Sequence, residues 1–141
     1  VVQPLVRIRA GLYAARSYVD RFGHPKSEAE FEGHRFVSAD LATNRAPFHR
    51  WLRSVVQPEQ ISYAATEPAA LEQAVIAGAG IGFMLAFRAE GNPDLIEILP
   101  PREDWDSLLR LVTHVDLHRT RKVQAFVAHL KEAAKDWKLC R

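Results

Sequence analysis

The stretch AVIAGAGIGFML, residues 74–85, carries three alternating glycines and is the part of the sequence most suggestive of ligand chemistry. Glycine-rich loops cradle phosphates when they follow a strand and open a helix, because free N–H groups at the helix amino end then face the anion. The apolar pattern here predicts the opposite order, a helix over residues 67–77 and then a buried strand over residues 80–86. Carbonyl dipoles at a helix carboxyl end repel phosphate. We therefore predict that Gly78 is a left-handed helix cap and that the next two glycines allow close packing of helix on strand.

Other groups of reactive side chains favour structural roles. His114 and His118 are four residues apart, but they straddle a predicted strand end and lack a third ligand. The serines do not stand in a strained nucleophile elbow such as G-x-S-x-G. The basic cluster DLHRTRK, residues 116–122, has no interleaved aromatic residues, so it is interpreted as a solvated helix start. These patterns predict neither a metal site nor a cofactor, and no enzymatic machinery.

Alternating strands and helices must position any site that the chain has. Continuous or alternating apolar runs predict strands, whereas apolar residues at 3.6-residue spacing predict helices. The predicted strands cover residues 5–14, 35–38, 60–66, 80–86, 94–100 and 108–116. The predicted helices cover residues 16–22, 47–56, 67–77 and 120–137. This order predicts βα units on a largely parallel sheet, an α/β fold.

Length and composition describe one ordinary globular domain. The chain has 141 residues, of which 48% are hydrophobic and 26% are charged. Its longest apolar stretch is about a dozen residues, below the roughly 20 that cross a bilayer, so no membrane span is predicted. No export signal is recognised, and we expect a cytoplasmic protein. A formal charge of +2 is too small to predict nucleic-acid binding by this chain.

Ligands of open α/β sheets bind at the carboxyl ends of the strands. Three such ends are predicted: the loop over residues 39–46, the Thr66–Glu67 step, and residues 84–87. Helix amino ends favour anions, but the carboxylate of Glu67 would oppose a second negative charge. Arg45 could offset Glu67, so the charge of the ligand stays open at this point.

Four segments resemble the effector-binding domain of LysR-type transcriptional regulators. They are LYAARSYVDRFGHPKSEAEFEGHRFV, ALEQAVIAGAGIGFML, DLIEILPP with the tryptophan that follows, and DLHRTRKVQAFVAHLKE. The first and last are the most specific, and the match runs over roughly residues 5–137.

The resemblance implies a type II periplasmic-binding-protein-like fold, α/β with a mostly parallel sheet and flanking helices. Residues 1–10 would be a crossover strand from the first lobe and residues 11–95 the second lobe. Residues 96–141 would return to the first lobe. The amino-terminal half of that lobe and the helix-turn-helix domain have no counterpart in these residues.

The resemblance also implies where a small-molecule effector would be held. Carried over by position, the effector-binding residues are Asp40, Leu41, Thr43, Asn44, Thr66, Glu67 and Met84. The family often has a serine or asparagine near Glu67, so an acidic effector is less strongly implied. No catalytic residue, metal or cofactor is implied.

The function implied is a sensing module that controls transcription through a ligand-dependent change in a dimer. DNA would be bound only through a helix-turn-helix domain outside this chain. A missing packing partner for residues 108–115 and 120–137 would leave an apolar stripe exposed, so we expect self-association. A solute-binding lobe of a transport receptor is the alternative. A small α/β enzyme is a third hypothesis, which activity dependent on His49 or Asp40 would support.

Overall fold

The computed structural model describes residues 1–40 and 46–137, which form seven strands and five α-helices. The strands are β1 (Val2–Ile8), β2 (Ala10–Ala15), β3 (Phe36–Ala39), β4 (Ile61–Ala65), β5 (Gly82–Leu85), β6 (Leu95–Leu99) and β7 (Ser107–Val112). The helices are α1 (Arg16–Phe22), α2 (Pro47–Val55), α3 (Pro68–Ile76), α4 (Ala86–Ala89) and α5 (Arg121–Ala134). None of the helices in these two described ranges is long and apolar enough to span a membrane.

Two sheets, β4-β3 and β5-β2-β6, are joined edge to edge by a single β-bridge, and together they form the main sheet in the order β4-β3-β5-β2-β6. β3 and β4 are parallel, and a parallel bridge between Phe36 and Ile81 joins β3 to the start of β5. β2 pairs with β5 on one side and β6 on the other, antiparallel to both. Four of the five strands therefore run in one direction, as predicted, and β2 is the exception.

The predicted long strand at the amino end is two strands that separate at Arg9. β1 leaves the main sheet and forms an antiparallel ribbon with β7, in which Val2 faces Val112. Every residue of β2 is buried, whereas β1 has exposed and partly buried residues and a single buried one, Val6. The backbone carbonyl of Arg9 accepts a hydrogen bond from Ala86 N–H at 2.9 Å, which fixes the break.

The last predicted strand also ends earlier than expected. β7 stops at Val112, and the chain then turns until α5 begins at Arg121. Within this turn Thr113 Oγ1 and His118 Nδ1 lie 2.8 Å apart in a hydrogen bond, and His114 Nδ1 accepts from Asp116 N–H at 3.2 Å. Local polar contacts thus replace the strand pairing that the apolar pattern predicted.

The glycine run has the architectural role that the sequence predicts. Gly78 has φ +84° and its N–H donates to Val75 O at 3.0 Å, while Ala79 N–H donates to Ala74 O at 3.0 Å. This is a glycine-capped helix carboxyl end. A Cβ on Gly82 would lie 2.6 Å from Val75 Cγ2, so the missing side chain lets α3 lie directly on β5.

α3 begins one residue later than the predicted start at residue 67. Glu67, not Thr66, occupies the N-cap position, and no side chain caps the helix. Pro68 is the first helical residue, where its fixed φ and missing N–H are tolerated, and it sets the start of the helix.

Both faces of the main sheet are covered by hydrophobic core. The larger cluster includes the fully buried Trp105, Tyr18 and Phe36, and the smaller one includes Val37, Val75 and Met84. Phe83 belongs to the first cluster and its neighbour Met84 to the second, because successive strand side chains point to opposite faces. The end of β5 therefore lies between two packed layers.

Candidate ligand-binding cavity

A cavity of about 530 Å³ opens at the carboxyl end of β5, beside the first turns of α2 and α3. Small-molecule sites commonly enclose about 300–1,000 Å³, so the size suits a metabolite. The described residues that line it are Phe48, His49, Pro68, Ala69, Leu71, Glu72, Gln73, Phe83, Met84, Leu85 and Arg88. Its position is the carboxyl edge of the sheet, where ligands of open α/β folds bind.

Aromatic and apolar side chains form most of the cavity wall. The Phe48 and Phe83 ring centroids are 5.1 Å apart with the rings tilted by 40°. Phe83 and Met84 are almost completely buried by the surrounding core. Because these side chains are held by packing, the wall is formed before any ligand enters.

His49 is the one buried histidine among the described residues, only 6% exposed, and its ring lines the cavity. The ring centroid lies 4.5 Å from that of Phe48 and 6.4 Å from that of Phe83. Burial, and then the positive charge of Arg53, lower the pKa of His49 to about 4. The imidazole is therefore neutral at neutral pH. Its Nδ1 is buried without a hydrogen-bond partner among the described residues.

Arg53 lies one helical turn after His49 in α2 and is held in place by hydrogen bonds to β3. Its Nε donates to Ser38 Oγ at 2.7 Å, and its Nη2 donates to Ala39 O at 3.3 Å. These bonds join the last turn of α2 to the end of β3. The charge that disfavours protonation of His49 is thus held in place by the sheet.

An ion pair borders the cavity on the side of α3 and α4. Arg88 donates from Nε and Nη2 to the two carboxylate oxygens of Glu72, and both bonds are 2.7 Å long. A bidentate pair of this kind has a defined geometry as well as compensated charge. It links α4 to the second turn of α3 at the wall of the cavity.

The structure brings only some of the predicted site residues to this cavity. Met84 lines it. Thr66 and Glu67 are exposed and directly precede Pro68, which lines it. Asp40 is exposed at the end of β3, where its N–H donates to Ala65 O at 3.2 Å. Leu41, Thr43 and Asn44 lie outside the described residues, as does Arg45, and ligand contact by all of these residues stays a prediction.

From the sequence, His49 is a candidate only under the enzyme hypothesis and is not placed at the ligand site, although a helical signal predicts its burial. The apolar residues at helical spacing in the predicted helix over residues 47–56 are Phe48, Trp51, Leu52 and Val55, and they do not include His49. His49 precedes Leu52 by three positions, which places both on one face of the helix, and both are buried. The Glu72–Arg88 pair carries no such signal, because the partners are 16 residues apart.

The described residues offer no site for a metal ion. Within residues 1–40 and 46–137 no group of three His, Cys, Asp or Glu side chains is arranged to hold one. His114 and His118 instead make the separate turn contacts described above.

Comparisons with known proteins agree on the family. The family model of the LysR substrate binding domain matches residues 1–135. No curated protein matches the chain.

Solved structures show the same fold. The regulatory domain of CrgA, a LysR-type transcriptional regulator from Neisseria meningitidis, is 20% identical with a TM-score of 0.69, over 95% of this chain and 68% of that one. Full-length AphB, a virulence activator of Vibrio cholerae, is 19% identical with a TM-score of 0.67, over 95% of this chain and 48% of that one. CbnR, a LysR family transcriptional regulator, is 16% identical with a TM-score of 0.64, over 96% of this chain and 48% of that one.

The chain therefore spans about half the length of the full-length regulators. At these identities the structures establish the fold alone, a type II periplasmic-binding-protein-like α/β architecture. The family match covers nearly the whole chain. This chain belongs to the LysR substrate-binding domain family.

Proposed function

We propose that this chain is the effector-sensing part of a LysR-type transcriptional regulator and that its effector binds in the cavity at the end of β5. The observation that carries the proposal is an apolar cavity of about 530 Å³ at the carboxyl edge of the sheet, in a chain of this family. A few polar groups converge on this apolar wall, a combination typical of small-molecule sites.

The contacts of Phe83 suggest how ligand binding acts on the rest of the domain. Phe83 lines the cavity, and its ring lies edge-on to Trp105 with the centroids 4.8 Å apart. The next residue, Asp106, pairs with Arg9 at 3.2 Å, at the break between β1 and β2. A ligand that packs better against one arrangement of these residues shifts the population toward that arrangement.

Membership of the family supports the proposed biological role. The sensor acts within a dimer, contacts DNA only through a helix-turn-helix domain outside this chain, and controls transcription in the cytoplasm. It performs no catalysis and uses no cofactor or metal. The transport-receptor alternative is not favoured, because the matching family and the solved structures described above are regulators.

A thermal-shift screen of small metabolites tests the proposal when a blocked variant is run beside the chain. Ala69 lines the cavity in the first turn of α3, so Ala69→Trp fills part of the space. Ala128→Trp, at an exposed site on α5, is the matched control. Compounds that raise the Tm of the unchanged chain and of Ala128→Trp should leave that of Ala69→Trp unchanged. Equal increases of Tm in all three proteins would show that the compounds bind outside this cavity.

A further inference from the structure

Trp105 joins the cavity wall to the connection that leads into the β1–β7 ribbon. It ends the short 3₁₀ turn Glu103–Trp105 between β6 and β7, and its side chain is fully buried. The ring centroid lies 4.8 Å from that of Phe83, which lines the cavity, and 4.8 Å from that of Trp51 on α2. The three rings pack as one group, because the centroids of Trp51 and Phe83 are also only 5.9 Å apart.

Arg102 holds the Trp105 ring in this group. Its guanidinium carbon lies 4.4 Å from the ring centroid of Trp105 and 5.3 Å from that of Trp51, within the range of a cation–π contact. An ion pair with Glu28, in which Arg102 Nη2 lies 2.9 Å from Oε1, keeps the guanidinium over the rings. The buried indole Nε1 of Trp105 has no hydrogen-bond partner among the described residues, whereas a buried tryptophan usually has one. Ring packing and the Arg102 cation therefore fix the position of the ring.

The two chain connections between the main sheet and the ribbon meet beside Trp105. One is Arg9, between β1 and β2, and the other is the segment over residues 100–106, between β6 and β7. Arg9 Nε donates to Oδ1 of Asp106, the next residue after Trp105, at 3.2 Å. A displacement of the Trp105 ring would therefore act on both connections.

The opposite wall of the cavity has no such link to the ribbon. Met84 points to the other face of β5 and packs in the smaller core cluster, whose described members all come from residues 13–95. That cluster therefore includes no described residue of the ribbon or of either connection. Phe83 and Met84 are neighbours in sequence and both line the cavity, so they form a matched pair.

We propose that Phe83 and Trp105 transmit a change in the cavity to the position of the β1–β7 ribbon, and that Arg102 is the positioning residue that keeps the two rings in contact. Contact with Met84 contributes to ligand binding but not to this response. The inference rests on the proposed function, because it concerns how the same cavity acts on the rest of the domain.

Distances between the ribbon and the main sheet test this proposal in the ligand-free chain. Spin labels attached to Arg110→Cys, at an exposed site on β7, and to Glu59→Cys, at an exposed site just before β4, report the distance by double electron–electron resonance. Cys140→Ser removes the one native cysteine of the sequence. Dilution with unlabelled chain restricts the signal to label pairs within one molecule.

We expect Phe83→Leu to shift or broaden the distance distribution by about 2 Å or more, because leucine cannot keep the edge-on ring contact with Trp105. Met84→Leu, the matched change on the other wall, should leave the distribution unchanged. Arg102→Met should reproduce the effect of Phe83→Leu, whereas Arg102→Lys, which keeps the cation, should retain the distribution of the unchanged chain. Phe83→Leu combined with Arg102→Met should have no larger effect than either change alone, since both act on the same ring.

An unchanged distribution in both Phe83→Leu and Arg102→Met would overturn the inference, as would an equal response to Met84→Leu. Near-UV circular dichroism verifies that each variant is folded. Arg102→Met decides the matter even where Phe83→Leu does not fold, because the Arg102 side chain is partly exposed. Residues with a purely structural role would lower the Tm without changing these distances. The proposed function is tested separately, because the thermal-shift screen measures ligand binding and these experiments contain no ligand.

Discussion

At the scale of single residues, His49 predicts a pH dependence of folding stability. Its pKa is about 4 in the folded chain, below the ordinary value of 6.5, so the fold favours the neutral ring. The associated stability is complete above about pH 6.5 and is lost as the pH falls toward 4. The difference between the two pKa values corresponds to about 3 kcal/mol when lost in full.

Urea unfolding between pH 7.5 and 4.5 measures this contribution. His49→Gln should remove the part of the pH slope that belongs to His49. His34, whose pKa burial also lowers, contributes with the same sign, so His34→Gln is the matched control and should keep the His49 slope. Identical slopes in the unchanged chain and His49→Gln would show that the ring is not held neutral.

A second effect on folding stability is expected at Gly82. Gly82→Ala should lower the free energy of unfolding by about 1–3 kcal/mol, because the new Cβ would overlap Val75 Cγ2. The same change in a Val75→Ala background should cost less, since the overlapping methyl group is gone. Gly91→Ala, where the nearest atom would be 3.6 Å away, is the control. Equal costs in the two backgrounds would contradict direct contact between α3 and β5.

Local signals explain which residues the sequence predicts correctly. The cap at Gly78 is predictable because a glycine after a helical pattern has one common cause, the left-handed conformation. The place of Met84 near the carboxyl end of β5 is predictable because it belongs to a continuous apolar strand, while its contact with a ligand stays a prediction. The burial of His49 depends on Phe83, which comes from a strand 34 positions later in the chain, so the neighbours of His49 in sequence say little about it.

At the scale of elements, the break between β1 and β2 was not predictable from periodicity. Both segments have extended patterns, and only their partners differ: β7 for the first strand, and β5 with β6 for the second. The partners lie about 70 to 110 residues away, beyond any local signal. The antiparallel direction of β2 within the sheet was not predictable for the same reason, because it is set by these distant partner strands.

Arg9 stabilises this break through its ion pair with Asp106. The Asp106 side chain is 7% exposed, and the other nearby cation, Arg7, lies at 3.7 Å without a hydrogen bond. Arg9→Met would leave a largely buried carboxylate poorly paired, and we expect a loss of about 1–3 kcal/mol in chemical unfolding. Lys135→Met, which removes an exposed pair with Glu132, should cost under about 1 kcal/mol. Equal losses of unfolding free energy in Arg9→Met and Lys135→Met would show that the Arg9–Asp106 pair stabilises the fold no more than an exposed ion pair does.

At the scale of the whole molecule, apolar surface is concentrated on the β1–β7 ribbon and α5. The side chains of Val112, Val115 and Phe126 are 70%, 69% and 61% exposed. A second apolar groove of about 410 Å³ lies between β7 and α5. Exposed apolar surface of this extent is typical of an interaction face, in agreement with the self-association expected from the sequence.

We predict that a second copy of the chain covers this face. Sedimentation velocity should show a concentration-dependent dimer, and the double change Val112→Lys with Phe126→Lys should shift the protein to monomer. Tyr63→Lys, at an exposed site on β4, is the control and should leave the distribution unchanged. A monomer at all concentrations in the unchanged chain would contradict the prediction.

The glycine run is architectural, and the proposed ligand site lies at the opposite, carboxyl end of β5. Titration of a compound found in the thermal-shift screen, followed by NMR, tests it directly. We expect the Met84 methyl resonance to shift with saturation while the amide resonances of Gly78 and Gly80 stay in place. A saturable shift of the two glycine amides, with Met84 unmoved, would contradict the account.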